Sequence, residues 1–531
     1  MKTKYILLLF TVLFFTSCFD DLNVTPLDPR AQTPDQVYQD PANVEKGLLK
    51  IYSVWAISGQ DGIGSSDILG LDPGNAQLLR SWWNIQVITT DECKNAWKDD
   101  AWVPEINGIL WSDIQNESLE GVYQRCMYIV ALSNEFLLRT TNIAAEANPV
   151  QVRAEARFNR ALAYYTLMDI YAIPPFITEN NYSKAPAPLT RSDLFAWIET
   201  ELNDIYASLP DARKGTYGRA DKGAVDALLA RMYLNAEVYT GKAMYTECIA
   251  ACNRILSPST GYALASDYSN IFKADNNTAA GSEIIFPIVF SGVGTETYGG
   301  MTYLIASSRA QEDVREDRDG LVEAWGGNRS TQNLVNKFEF ADPNNKTANT
   351  ILDKRGIFFS DNRSINISTT PINTFLQEGW SVYKFKNVTS TGAPGSNNRR
   401  PDTDFPLFRL GDVYLMYAES VVRGGQGGSR ATALSYINAL RKRGYGNDVH
   451  SISDSQMTKE FILDERAREL YWEGTRRTDL IRYGLYTGSG YLWAFKGGVA
   501  SGVAVSETRN VCPIPVSDMA VNQNLKQNPG Y

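Results

Sequence analysis

Five of the eleven tryptophans, Trp82, Trp83, Trp97, Trp102 and Trp111, fall between positions 82 and 111. They stand among polar residues, in RSWWN and DECKNAWKDDAW, and not on a helical stripe. An indole presents a large flat face while its N–H needs a partner, which suits a half-exposed position. Sugars offer patches of C–H on one side and hydroxyls at the rim. An aromatic platform ringed by Asp, Asn and Arg is therefore the chemistry a glycan pocket requires. Packing of a loop-rich layer would use the same five residues, and both readings stand at this level.

Other chemistries are poorly supplied. The chain holds one histidine, His450, in the turn RGYGNDVHS. A Ser-His-Asp or Cys-His system would rest on that residue alone, and a His-rich zinc site cannot be built. His450 reads as loop surface. Beyond Cys18 the cysteines are Cys93, Cys126, Cys248, Cys252 and Cys512, with no CxxC pair. Cys248 and Cys252, at i and i+4, read as small buried hydrophobes and not as metal ligands. A glycoside hydrolase needs only two carboxylates about 5 to 10 Å apart, and 60 acidic residues make sequence proximity uninformative. The run QEDVREDRDG, 311–320, reads as a solvated segment.

The first residues carry an address. Lys2 and Lys4 precede the apolar run Tyr5 to Phe15, then Thr16, Ser17 and Cys18. Such a run spans about 16 Å as a helix, half a bilayer core, so it is an export signal and not an anchor. Cysteine directly after a small-residue cleavage site resembles a bacterial lipobox, which implies lipidation at Cys18; a plain secretory peptide cleaved near Ser17 is the simpler alternative. Several acyl chains anchor a protein stably without a transmembrane helix. Asp20 and Asp21 resemble a surface-display signal of bacterial lipoproteins. Residues 1–17 are thus expected to be a signal peptide, 18–36 a Pro-punctuated lipidated tether, and 37–531 a single body. Net charge is −9, more negative once Lys2 and Lys4 leave, and no basic stripe offers itself to nucleic acid.

The body must position any site, and its elements alternate in character. Amphipathic helical runs come in pairs: 154–172 with 192–209, 224–241 with 244–256, and 410–425 with 430–443. Small residues alternating with aromatics in paired helices are the pattern of tetratricopeptide-like units, which bury their faces by stacking. The helical part is expected mainly at 116–270 and 405–480. Residues 57–115 and 271–404 are rich in Gly, Asn, Asp, Ser and Pro, with strand-like runs at 283–290 and 380–388. Loops on a rigid helical frame are where binding usually lies. The predicted fold is mainly α: helical pairs packed against a loop-rich half with short strands. In 460–484, Asp464 and Glu465 are each spaced to pair with Arg468, and Phe461, Leu470 and Tyr471 to face inward.

Several segments, PDTDFPLFRLGDVYLMYAES (401–420), EFILDERARELYWEGTRRTDLIRYG (460–484), YLWAFKGG (491–498), TTDEC (89–93), GRADKGAVDALLARMYLNAEVYTG (218–241) and the ending NQNLKQNPGY, together resemble the SusD/RagB family of outer-membrane nutrient-binding lipoproteins. The similarity covers nearly the whole chain and is closest to the family's starch-binding member. It implies a non-catalytic, cell-surface glycan binder that works beside a SusC-like TonB-dependent transporter. Carried over residue by residue, it implies stacking platforms at Trp97, Tyr298 and Trp325, and hydroxyl contacts from Asp72, Arg80 and Asp100. Two positions depart: Asn95 replaces a tryptophan, and Asp100 replaces an asparagine, so an acceptor stands where an amide could also donate. The expected ligand is an α-glucan of the starch type, bound weakly, at about 4 to 8 kcal/mol, with no cofactor. A structural Ca²⁺ is not readable from sequence. Two alternatives remain: a lid for the transporter tuned to another glycan or peptide, and a carboxylate-pair hydrolase.

Overall fold

A computed structural model describes residues 32–111, 116–368 and 377–531. Cys18 and the leader lie outside the described residues. The first described turn is helical at Pro34–Val37, and a longer helix, Pro41–Ser53, starts from an Asp40 cap.

The helical pairs form as their periodicity predicts. Pro149–Tyr171 packs between Glu117–Arg139 and Arg191–Ile205; Lys222–Leu234 packs on Tyr245–Ile255, and that helix on Leu410–Val422. Leu410–Val422 also meets Arg430–Tyr445 and Lys459–Leu470. Ala161, Ala163, Ala227 and Ala230 are fully buried, which lets neighbouring backbones approach. Side-chain caps start the helices: Thr190, Asp221, Ser429 and Thr458 each accept a backbone N–H from the first turn.

The loop-rich part contains three two-stranded antiparallel sheets among the described residues. The 283–290 run forms Ile284–Ile288 against Phe405–Arg409, whereas 380–388 contributes only Ser381–Val382, opposite Phe358–Phe359. Cys93–Asn95 pairs with Asn328–Ser330, so Asn95 faces Asn328.

A buried ion network joins the parts. Arg409 reaches Glu283, Glu469 and Glu473; Arg355 reaches Asp353, Glu465 and Glu469; Lys384 reaches Glu473. Arg476 takes Asp91 in a two-bond fork at 2.7 Å each. Each charge here is costly to bury and is offset by bonded partners. Glu465 pairs with Arg468 as spaced, but Asp464 does not: it lies 2.6 Å from Lys337 instead. Leu470 and Tyr471 are buried, and Phe461 only partly.

Three expectations need correction or refinement. Trp82, Trp83, Trp102 and Trp111 are core residues, at most 6% exposed; only Trp97 of the five is half-open. Two of their indoles find internal acceptors, Trp83 on the Trp472 carbonyl and Trp111 on the Tyr531 hydroxyl, each at 2.8 Å. The 311–320 run is not wholly solvated, because Asp319 is buried beside Arg309 and Arg318. His450 keeps to its loop, stacked on Tyr445 with ring centroids 3.9 Å apart.

Candidate functional site

The segment 72–83 builds one wall. Asp72 Oδ1 accepts the N–H groups of Gly74 and Asn75 at 2.8 and 2.6 Å, which closes the turn into the helix Leu78–Trp83. Gln77 caps that helix through Arg80 N at 2.9 Å, and the same Oε1 accepts Gly300 N at 2.8 Å. One buried amide thus ties the helix that carries Arg80 to the segment that carries Tyr298. A Cβ at Gly299 would run into Gln77, so glycine is required there.

Arg80 is nearly buried, with its guanidinium 4.2 Å from the centroid of Tyr303 and 5.8 Å from that of Trp97. It has no ion pair among the described residues, and its Nε is buried without a partner. Burial lowers its pKa, against the raising influence of Tyr303 and then of Asp72, Asp100 and Glu117. An unpaired guanidinium in an aromatic nest is a donor held ready for an incoming hydroxyl.

Trp97 stands just past the Cys93–Asn95 strand. Asn95 is buried: its Nδ2 donates to Asn328 Oδ1 and its Oδ1 accepts Trp97 N, both at 2.8 Å. Asn95 is therefore a bracket beneath Trp97. Trp97 Nε1 donates to the Trp325 carbonyl at 3.3 Å, and Trp325 N donates to Ala306 O at 2.7 Å. The Trp97 ring lies over Gly327, where a Cβ would collide with it.

These walls enclose an open cleft of about 610 Å³ lined by Trp97, Tyr298, Trp325, Arg80, Asp100, Asn75, Ala96, Lys98 and Asp99. Five of the six residues implied by the resemblance converge there; Asp72 does not line the cleft but holds the turn that carries Asn75. Tyr298 is 46% exposed, with the Arg400 guanidinium 5.1 Å from its ring centroid. The Asp100 carboxylate has no hydrogen bond among the described residues and is open to accept one. Gln77, Tyr303, Asn328 and Arg400 were not singled out from the sequence, although the first three stand within six residues of Arg80, Tyr298 and Trp325; the contacts that give them a role, Gln77 to Gly300, Tyr303 to Arg80 and Arg400 to Tyr298, join positions distant in the chain. Among the described residues no group of three or more His, Cys, Asp or Glu side chains converges as a cation site, and no helix is long and apolar enough to cross a membrane.

What the arrangement offers is flat apolar faces, one buried donor cation and rim acceptors, which is the equipment for holding a sugar. Comparison with known proteins agrees. The pattern of the SusD family matches residues 282–531, and a second pattern, described as starch-binding associating with outer membrane, matches residues 78–234. The chain is 36% identical to the starch-binding protein SusD of Bacteroides thetaiotaomicron over 100% of both chains. It is 23% identical to a SusD-like protein of Bacteroides ovatus, over 92% of this chain and 83% of that one. Among solved structures, a SusD-like carbohydrate-binding protein of Bacteroides fragilis superposes with a TM-score of 0.70 at 18% identity, covering 92% of this chain and 100% of that one. Surface glycan-binding protein A of Bacteroides thetaiotaomicron, in complex with laminarihexaose, gives 0.68 at 18%, covering 92% and 99%. The chain belongs to the SusD family, as a glycan-binding protein and not an enzyme.

Proposed function

We propose that this protein captures starch-type α-glucans at the outer-membrane surface, held there by a lipid on Cys18, and passes them to a SusC-like TonB-dependent transporter. The observation that carries the reading is the gathering of Trp97, Tyr298 and Trp325 on one open cleft with the unpaired Arg80 guanidinium beneath them. An α-1,4-glucan is a curved ribbon whose rings present successive C–H faces. Three aromatic faces set around a concavity suit a curved ribbon better than a flat one such as cellulose. Arg80 donates to hydroxyls, and Asp100 accepts from them. The starch-binding relative and the family pattern support the same ligand class. No cofactor is needed for such a role.

A different glycan is the second reading, favoured by Asp100 itself: a carboxylate there cannot donate, so the hydroxyl pattern it accepts differs from the one an amide would. Affinity electrophoresis and calorimetry of the purified chain against amylopectin, maltoheptaose, cyclodextrin, laminarin, levan, dextran and xylan separate the two. Retention by the α-1,4-glucans alone is the expected result; retention only by laminarin or another polymer replaces starch as the ligand.

A further inference from the structure

A second concavity, of about 500 Å³, opens between the first half of the Pro149–Tyr171 helix, the Arg191–Ile205 helix and the loop 178–180. It shares no lining residue with the Trp97 cleft. Arg153, Arg157 and Arg160 line it at i, i+4 and i+7, one face of a single helix. Two carboxylates line it with them, Glu179 and Glu201. Arg157 forks onto Glu201 at 3.0 and 2.6 Å, and Arg160 bonds Glu201 at 2.9 Å and also Glu179. Asp204, outside the lining, also reaches Arg157, at 3.4 Å.

Arg153 is left over. Its Nη1 donates to the Leu137 carbonyl and to Thr140 Oγ1, both uncharged, and its remaining N–H groups have no partner among the described residues. Burial, together with Arg157 and Arg160, lowers its pKa against the pull of Glu179. The lining thus holds three guanidinia against two carboxylates, with Asp204 a third carboxylate, on Arg157, and the one open fork of donors is on Arg153. Half-buried Trp197 adds an aromatic surface, while Thr178, Asn180 and Ser208 add hydroxyl and amide groups. A ligand that matches this lining brings one negative charge in planar, two-oxygen form, hydroxyls, and an apolar face.

We propose that this concavity is a second ligand site, which takes an acidic sugar of the hexuronate class, its carboxylate seated on Arg153. A planar guanidinium and a carboxylate pair through two parallel bonds. A neutral sugar would leave the open Arg153 fork without a charged partner. Glu179 and Asn180 remain to accept from the ring hydroxyls.

Calorimetry of the purified full chain with trigalacturonate, with its methyl ester and with maltoheptaose tests this. The acid is expected to bind, its ester at least about tenfold more weakly, and added salt to weaken the acid further. Saturating maltoheptaose should leave acid binding unchanged, as the two sites share no residue. Arg153→Gln should cost about tenfold for the acid and nothing for the glucan, and Arg153→Lys should restore part of the loss. If Arg153→Gln does not fold, the ester and salt comparisons on the unaltered chain still decide. Equal binding of acid and ester, competition by maltoheptaose, an N-acetylated dipeptide binding in place of the uronate, or no binding of the acid would each overturn the proposal.

Discussion

Asn95 and Asn328 meet across the Cys93–Asn95 and Asn328–Ser330 ladder through a 2.8 Å amide–amide bond, and Asn95 holds the Trp97 backbone with its other end. Asn328 in turn donates to Ser307 Oγ at 2.7 Å and accepts from the Tyr303 hydroxyl at 3.3 Å. Asn95→Leu should therefore weaken glucan binding severalfold without removing a contact to sugar. It should also lower stability by about 1 to 3 kcal/mol, as buried polar groups lose their partners. Calorimetry and thermal melts on the same preparation check both effects; unchanged affinity would mean that Trp97 needs no bracket.

Removing a platform tests the cleft directly. Trp97→Ala and Trp325→Ala should each reduce glucan affinity by about tenfold or more, as expected of an aromatic anchor. Both rings are half-open, so the melting temperature should move little compared with Trp83→Ala, which empties a fully buried position.

Asp100→Asn places a donor at the cleft, where the carboxylate can only accept. The expected outcome is a changed order of preference among maltoheptaose, cyclodextrin and laminarin in a side-by-side titration, with Tm unaltered. An unchanged order would show that Asp100 does not touch the ligand.

Glu92 makes stability depend on pH. Burial pushes its carboxyl up to about 8 from 4.5, and its Oε2 accepts the Trp472 N–H at 3.0 Å. Between those values the folded chain holds a proton that the unfolded chain has released. Stability therefore falls as pH rises through that window, by as much as about 1.4 kcal/mol per pH unit. Glu92→Gln keeps an acceptor for Trp472 and cannot ionise. It should gain stability relative to the unaltered chain between pH 6 and 8 in urea titrations; parallel curves would remove Glu92 as the cause.

Arg355→Met should cost about 3 to 5 kcal/mol, because Asp353, Glu465 and Glu469 would lose a shared counter-charge in the interior. The fraction that remains folded should bind glucan with unaltered affinity, since no member of that cluster lines the cleft.

The helical pairs were legible because a 3.6-residue rhythm of small and aromatic residues survives in the sequence whatever the helices pack against. The tryptophan cluster was half legible. Residue type says that an indole needs a flat neighbour and an acceptor, but Trp83 and Trp111 find theirs in Trp472 and Tyr531, several hundred positions away. The cleft itself was reachable only through family resemblance: Trp97, Tyr298 and Trp325 come from separate loops, and no local spacing signals that they meet. The ion network was hidden for the same reason, with Arg409 and Glu283 more than a hundred residues apart and the helix-spaced Asp464 choosing Lys337.

The partners of that network are also unevenly distributed in time. Asp91 and Lys384 precede the groups that neutralise them, Arg476 and Glu473, and Arg355, which has Asp353 beside it, precedes its other partners Glu465 and Glu469; all four late groups belong to the last seventy residues. Until those emerge, Asp91 and Lys384 lack their counter-charges and Arg355 has Asp353 alone. Completion of the chain then acts as a latch, and a ribosome-bound or truncated product ending before position 460 should remain open to proteases around Asp91, Arg355 and Lys384.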